Sequence, residues 1–295
     1  MSNSFHVLLM GGDARYIEMV NTLSKKEIYT TLVGWEKITF PSKKVTKQTL
    51  NQIDFSTFDA IMLPVSGTNE HGEIELAPYT TEKLVLTKDM LQKTKESCVI
   101  YTGVSTPSLD KLTSSTNKKL VCLFQRDDLA ILNSIPTAEG TLQIAMEQMD
   151  VTVHSSSVLV LGFGRVGLTV ARVFRAVGGD VTVGIRSSTN AARVHEMGMN
   201  SLFTEELEQN VGAFQLIINT IPHLILDSPV ISNMNEETVI IDLASKPGGT
   251  DFSYAKKKEI TAIHALGIPG NVAPKTAGKV IADVFLDQLK LNDSK

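Results

Sequence analysis

Three glycines, Gly162, Gly164 and Gly167, end the stretch VLVLGFGRVG with the spacing G-x-G-x-x-G. An apolar strand pattern precedes them and a helical pattern follows, the context in which this spacing carries meaning. The first glycine permits a tight turn. The second lets backbone approach a pyrophosphate, and the third lets the helix sit close on the strand. The helix that starts here points free N–H groups and the positive end of its dipole at an anion. Phe163, Arg165 and Val166 complete the turn. The expected chemistry is the holding of a dinucleotide.

The next strand, in DVTVGIRSST, ends on Arg186, Ser187 and Ser188. In the NAD form of this fold an acid about 20 residues past the glycines holds the ribose 2′-hydroxyl. An acid there would repel the 2′-phosphate of NADP. An arginine forks two donors onto it, and two serines add hydroxyl donors. Arg186 therefore reads as a selector for NADP, against the plainer reading of a solvated arginine at a strand end. Arg165 either reaches phosphate or faces solvent.

Three later loops follow strands, at the edge where this fold places its ligands. NTIPH (219–223) brings Asn219, Thr220, Ile221 and Pro222. LASKPGGTD (243–251) brings Leu243, Ala244 and Ser245. GIPGNVAPKTAG (267–278) brings Pro269, Gly270, Pro274 and Lys275, the last beside a helix start. All are cofactor-binding candidates; the alternative is that glycine and proline merely punctuate the chain. His223, in the first of these loops, is either an acid–base candidate or a loop histidine without a role.

Around these residues the chain alternates short apolar runs with helical patterns. Runs at 5–12, 30–35, 60–65, 98–103 and 119–124 read as strands, with a helix at 14–26. Runs without polar alternation suggest a parallel sheet covered on both faces. A helix at 137–149, capped by Thr137 and weakened by Gly140, connects the halves. Then come strands at 157–162, 181–185, 215–221, 238–244 and 261–267, and helices at 165–177, near 190–197 and at 274–290. Val166, Val170, Val173, Phe174 and Val177 give the first of these helices an inner face, and Gly178 and Gly179 end it. Val280, Ile281, Val284, Phe285 and Leu289 do the same for the last. The fold expected is α/β: a C-terminal Rossmann doubly wound parallel sheet, plus an N-terminal flavodoxin- or Rossmann-like domain. The boundaries expected are 1–135 for a substrate or partner domain, 136–152 for the connecting helix and 153–275 for the nucleotide domain. The C-terminal helix 276–295 is free to rejoin the first.

The 295 residues suit two domains, at ~150 residues per domain. A net charge of −4 argues against a general nucleic-acid binder. Cys98 and Cys122 lie in apolar runs and read as buried, inert thiols with no zinc spacing. There is no signal peptide pattern and no run of ~18 apolar residues, so a soluble, cytoplasmic protein without membrane contact is expected.

Nearly the whole chain resembles the family of the A subunit of bacterial dipicolinate synthase. The likeness rests on GGDAR (11–15), FQRDD (124–128), NSIPTAEGT (133–141), LGFGRVG (161–167), RSS (186–188), NTIP (219–222), LASKPGGTDF (243–252) and PGNVAPKTAG (269–278), in that order. The C-terminal half looks more distantly like the cofactor domains of 2-hydroxyacid and alanine dehydrogenases. The resemblance implies NADP-dependent oxidation of dihydrodipicolinate, or its hydrated precursor, to dipicolinate in the mother cell of a sporulating bacterium. It also implies a partner, the flavoprotein-like B subunit of dipicolinate synthase. A homo-oligomer is expected. Such a substrate needs donors for two carboxylates; the candidates are Arg15, Arg126, Lys246 and Lys275. Asp13 or Asp128 is either the base or the ion-pair partner of Arg15 or Arg126. The competing readings are a general NADP-linked hydroxy- or keto-acid reductase and a non-catalytic NADP-binding scaffold.

Overall fold

The computed structural model describes residues 5–75 and 79–293. It divides into two compact units: 1–130 with 273–295, and 131–272.

The first unit carries β1 (His6–Met10), α1 (Ala14–Lys25), β2 (Tyr29–Val33), β3 (Val45–Lys47), β4 (Ala60–Met62), α2 (Lys88–Lys93), β5 (Val99–Thr102), α3 (Pro107–Ser115) and β6 (Lys119–Cys122). All six strands run parallel, in the order β3-β2-β1-β4-β5-β6. The continuous apolar run of β1 has the cause expected for a sheet covered on both sides. Val7 and Leu9 enter one core with Tyr16, Met19 and Leu23, whereas Leu8 and Met10 enter another with Phe58, Ile61 and Leu109.

A long helix, α4 (Asp127–Gln148), follows. The second unit continues with β7 (Ser157–Leu161), α5 (Arg165–Ala176), β8 (Asp180–Ile185), α6 (Ser188–Glu196), β9 (Asn200–Phe203), α7 (Leu207–Asn210), β10 (Leu216–Asn219), α8 (Ser228–Ser232), β11 (Val239–Asp242), α9 (Phe252–Lys257), β12 (Thr261–His264) and α10 (Ile268–Val272). Its parallel sheet has the order β12-β11-β10-β7-β8-β9. Counted within each unit, both orders are the doubly wound 3-2-1-4-5-6, which reverses beside its first strand. The last helix, α11 (Pro274–Asp293), belongs to the first unit. Its Ile281, Ala282 and Phe285 are buried with Met19 and Leu23, and the Phe285 ring meets Tyr101 edge-on at 4.8 Å. Residues 294 and 295, in the expected C-terminal helix, lie outside the described residues.

Three local expectations are corrected. Thr137 does not cap the connecting helix, which already starts at Asp127; its hydroxyl donates to the Asn133 carbonyl at 2.8 Å, as a mid-helix threonine does. Gly140 is not a weak point but a contact: a side chain there would strike Ile268, and Val272 at 2.7 Å. The stretch at 267–278 is not an open loop, because 268–272 form α10 and α11 begins at Pro274. The short outer strands β3 and β9 have no apolar run to announce them, since their positions are mostly half-buried or exposed. No helix among the described residues is long and apolar enough to cross a membrane.

Candidate functional site

At the switch of the second sheet, β7 runs into the glycine turn and α5. Gly162 has φ +97°, a conformation that favours glycine. A side chain at Gly167 would collide with the Gly162 carbonyl, so this residue lets helix and strand close up. Gly164 caps α5 with φ −89°. It therefore needs no glycine for its backbone, and a Cβ there would have nothing within 4 Å. The space over the helix N-terminus is open, where a pyrophosphate would meet free N–H groups. Phe163 and Val166 are half-buried beside the turn, and Arg165 is exposed.

Arg186, the first residue past β8, is exposed and makes no hydrogen bond or ion pair among the described residues. Ser187 caps α6: its Oγ accepts the Asn190 N–H at 3.3 Å, leaving its own hydroxyl proton to donate. Ser188 opens the helix. A free guanidinium, a free hydroxyl proton and a second helix N-terminus thus converge at the end of β8, a donor set that suits a phosphate.

The first unit has the same turn with different residues. Gly11, φ +66°, follows β1 as Gly162 follows β7. Asp13 caps α1 where Gly164 caps α5, and Tyr16 is the third helical residue, as Gly167 is. The Asp13 Oδ1 accepts the Arg15 N–H at 3.0 Å, and its carboxylate takes Arg15 Nε at 2.9 Å and Nη2 at 2.5 Å. Tyr16 is buried and donates to the Leu63 carbonyl at 3.0 Å. A carboxylate thus already sits over this helix N-terminus. Burial alone would lower the Arg15 pKa, but the hydrogen bonds and charge of Asp13 outweigh it and raise it above its ordinary value.

The two loops beyond β10 and β11 are knotted together. Asn219 is fully buried and its side-chain amide donates to Asp242 at 3.0 Å, inside the protein. The Thr220 hydroxyl is spent on the Leu161 carbonyl at 2.8 Å. Ala244 is buried with its carbonyl on His264 Nε2 at 2.9 Å, whereas Leu243 is half-buried and Ser245 exposed. Ile221 is half-buried; Pro222 and His223 are exposed. Sequence reasoning missed Asp242, which looked like one more residue of an apolar strand.

Arg126 pairs with Asp128 through Nε at 3.0 Å and Nη2 at 2.5 Å. That hydrogen bond holds the Asp128 carboxyl below the usual range, which makes it a weak base at neutral pH. Of the four cationic candidates, Lys246 and Lys275 are exposed and have no ion-pair partner among the described residues. Lys275 and Pro274 lie on α11 in the first unit; Pro269, buried, and Gly270 lie on α10 in the second. Cys98 is buried, and burial pushes its thiol up to about 11; Cys122 is only half-buried. Among the described residues no cluster of three or more His, Cys, Asp or Glu could hold a metal. A cavity of about 760 Å³ lined by Ile135, Thr169, Arg172 and Met197 shares no residue with the glycine turn.

Known proteins resolve what this arrangement belongs to. Residues 6–124 match the N-terminal domain of the dipicolinate synthase A subunit. Over 285 residues, 97% of the chain and 96% of the relative, it is 44% identical to the dipicolinate synthase A subunit of Bacillus subtilis (strain 168). The chain belongs to the dipicolinate synthase A-subunit family. Residues 133–290 match the alanine dehydrogenase/PNT C-terminal domain, a family of nicotinamide-nucleotide domains. The crystal structure of the Bacillus halodurans dipicolinate synthase A subunit is 46% identical, covers 97% of each chain and superposes with a TM-score of 0.94. That of its B. subtilis counterpart is 43% identical, covers 99% of this chain and 97% of its own, and scores 0.92. The second match gives the chain a dehydrogenase-like domain of the nicotinamide-nucleotide-binding kind.

Proposed function

We propose that the second unit binds NADP+ and that the chain oxidises dihydrodipicolinate, or its hydrated hydroxy-tetrahydro precursor, to dipicolinate. The observation that carries this reading is the open helix N-terminus at Gly164 together with the unpaired Arg186 at the end of β8. An acid in place of Arg186 would oppose a 2′-phosphate; the guanidinium receives it. Bound NADP+ supplies the hydride acceptor. Conversion of a dihydropyridine to a pyridine gives up one hydride and one proton, and the gain of aromaticity drives it; the hydrated precursor first loses water to reach the dihydropyridine. The chain's own work is to orient the ring and to recognise two carboxylates.

Lys246 suits one carboxylate, because it is free and lies on the loop after β11. Lys275, Arg15 and Arg126 remain the further carboxylate donors, the two arginines through the N–H groups their aspartates leave over. Asp13 and Asp128 serve as their partners rather than as the base. The proton then passes to water without a dedicated side chain. The same lack of a free acid–base pair among the described residues favours a second reading: an NADP-binding protein whose chemistry is completed by the flavoprotein-like B subunit. The expected setting is a homo-oligomer together with that flavoprotein-like partner, in the cytoplasm of a sporulating mother cell.

The test supplies the dihydrodipicolinate precursor and NADP+, with and without the flavoprotein-like partner, and follows the absorbance of NADPH and dipicolinate. Product that fails to appear in every combination rejects the reading. Product only with the partner calls for Lys246 and Arg186 substitutions, to place the chemistry on one chain or the other.

A further inference from the structure

Asp242 ends β11 with no exposed surface, and its carboxylate collects four donors, three from the loop that follows β11 and one from the last residue of β10. Oδ1 accepts the Asn219 amide at 3.0 Å and the Ala244 N–H at 2.9 Å. Oδ2 accepts the Gly249 N–H at 2.8 Å and the Thr250 hydroxyl at 2.7 Å. Asn219 carries the connection onward, exchanging hydrogen bonds with the backbone N–H and carbonyl of Ile221 at 3.0 and 3.1 Å. Gly249 sits where the loops cross. Its carbonyl accepts the Ile225 and Leu226 N–H groups at 3.0 and 2.9 Å. A side chain at 249 would run into the Asn219 amide and into the carbonyls of Ile221 and His223, the latter two at 2.6 and 2.7 Å.

A buried carboxylate is costly unless donors surround it. Here they do, and every donor belongs to one of the two loops or to the strand end that launches one. An apolar residue at the end of β11 would serve the core as well but would hold neither loop. The sheet order β11-β10-β7-β8 says what the loops border. If the 2′-phosphate end of the dinucleotide lies at β8 and its pyrophosphate crosses at β7, the other half falls over β10 and β11.

We propose that Asp242 is a positioning residue: it locks the 219–226 and 243–250 loops into one rigid wall for the nicotinamide half, while the glycine turn and Arg186 hold the adenosine half. The proposal rests on NADP+ occupying the second unit. Asp242 touches no part of the nucleotide itself and acts through the loops.

Two probes separate this role from a general structural one. Adenosine 2′,5′-bisphosphate reports the adenosine half, and NADP+ reports the whole. Both are titrated calorimetrically against the full chain, the Asp242→Asn variant and the milder Thr250→Val variant, beside thermal melts. In Asp242→Asn an amide N–H faces the Gly249 N–H. The expected result is a loss of about tenfold in NADP+ affinity with bisphosphate affinity within about twofold of the original. Thr250→Val should show a smaller loss with the same selectivity. If Asp242→Asn does not fold, Thr250→Val and Gly249→Ala decide by the same ratio. Parallel losses for both probes, or no loss for either, overturn the inference while leaving NADP+ binding intact. An unsubstituted chain that binds neither probe overturns the nucleotide reading and the inference with it.

Discussion

Asp13 stands in the first unit at the helix-cap position that Gly164 holds in the second. One doubly wound topology is thus used twice, with a carboxylate over one helix N-terminus and open space over the other. The difference is testable in one residue. The φ of −89° and the free space at 164 accommodate an aspartate without strain. Gly164→Asp should keep the melting temperature or raise it slightly, because aspartate is a good cap. It should weaken NADP+ on the order of 100-fold, since like charges brought together cost several kcal/mol. Calorimetry and a thermal melt on the same sample check both halves of this outcome.

Arg186 is exposed and unpaired, so its replacement should not disturb the fold. A hydrogen bond to a charged group contributes roughly 1.5–3 kcal/mol. Arg186→Ala should therefore lose about 10- to 100-fold in NADP+ affinity. Arg186→Asp should lose more and turn the preference towards NAD+. Binding constants for both cofactors decide it; an unchanged NADP+ constant removes Arg186 from the site.

Lys246→Met keeps the length of the side chain and deletes its charge. As Lys246 is exposed, the melting temperature should stay where it is. KM for the cyclic dicarboxylate should rise by about tenfold, the worth of one charge-assisted contact, with the NADP+ binding constant unchanged. Steady-state kinetics with each substrate varied in turn tests this split.

His6 gives the protein a pH dependence unrelated to catalysis. Burial pushes its pKa below the ordinary value of 6.5, more strongly than the charge of Asp59 raises it. The imidazole lies at 2.9 Å from the Thr31 hydroxyl and 4.6 Å, centroid to centroid, from the Phe58 ring. Between the lowered folded value and 6.5 the unfolded chain binds the extra proton. The stabilising contribution is therefore present above pH 6.5 and is lost as pH falls through the folded value. The melting temperature should drop between pH 7 and the acid side of that window, and His6→Phe should flatten the slope. An NMR titration that places His6 at or above 6.5 would contradict this.

Much of this was written locally along the chain. The continuous apolar runs at 157–161 and 216–219 announced buried parallel strands, because both faces of such strands meet side chains. The glycine spacing announced a turn that only glycine fits at 162 and 167, because backbone sterics there are decided by immediate neighbours and by the strand beside them. Arg186 was legible because its distance from the glycines places it at the end of the second strand.

Other features depend on partners remote in sequence, and the tertiary structure alone decided them. Gly140 looked like a flaw in a helix until α10 was found against it. Asn219 reads from the sequence as a loop residue at the ligand edge; that its amide is bound inward by Asp242, 23 residues further on, is visible only in the fold. Asp13 and Arg15 read equally as a base with a carboxylate clamp or as a salt bridge; the helix cap that uses the aspartate appears only once the turn is built. Neighbours along the chain set backbone conformation and burial period, whereas the direction in which a polar side chain spends its hydrogen bonds is set by whatever the fold brings beside it.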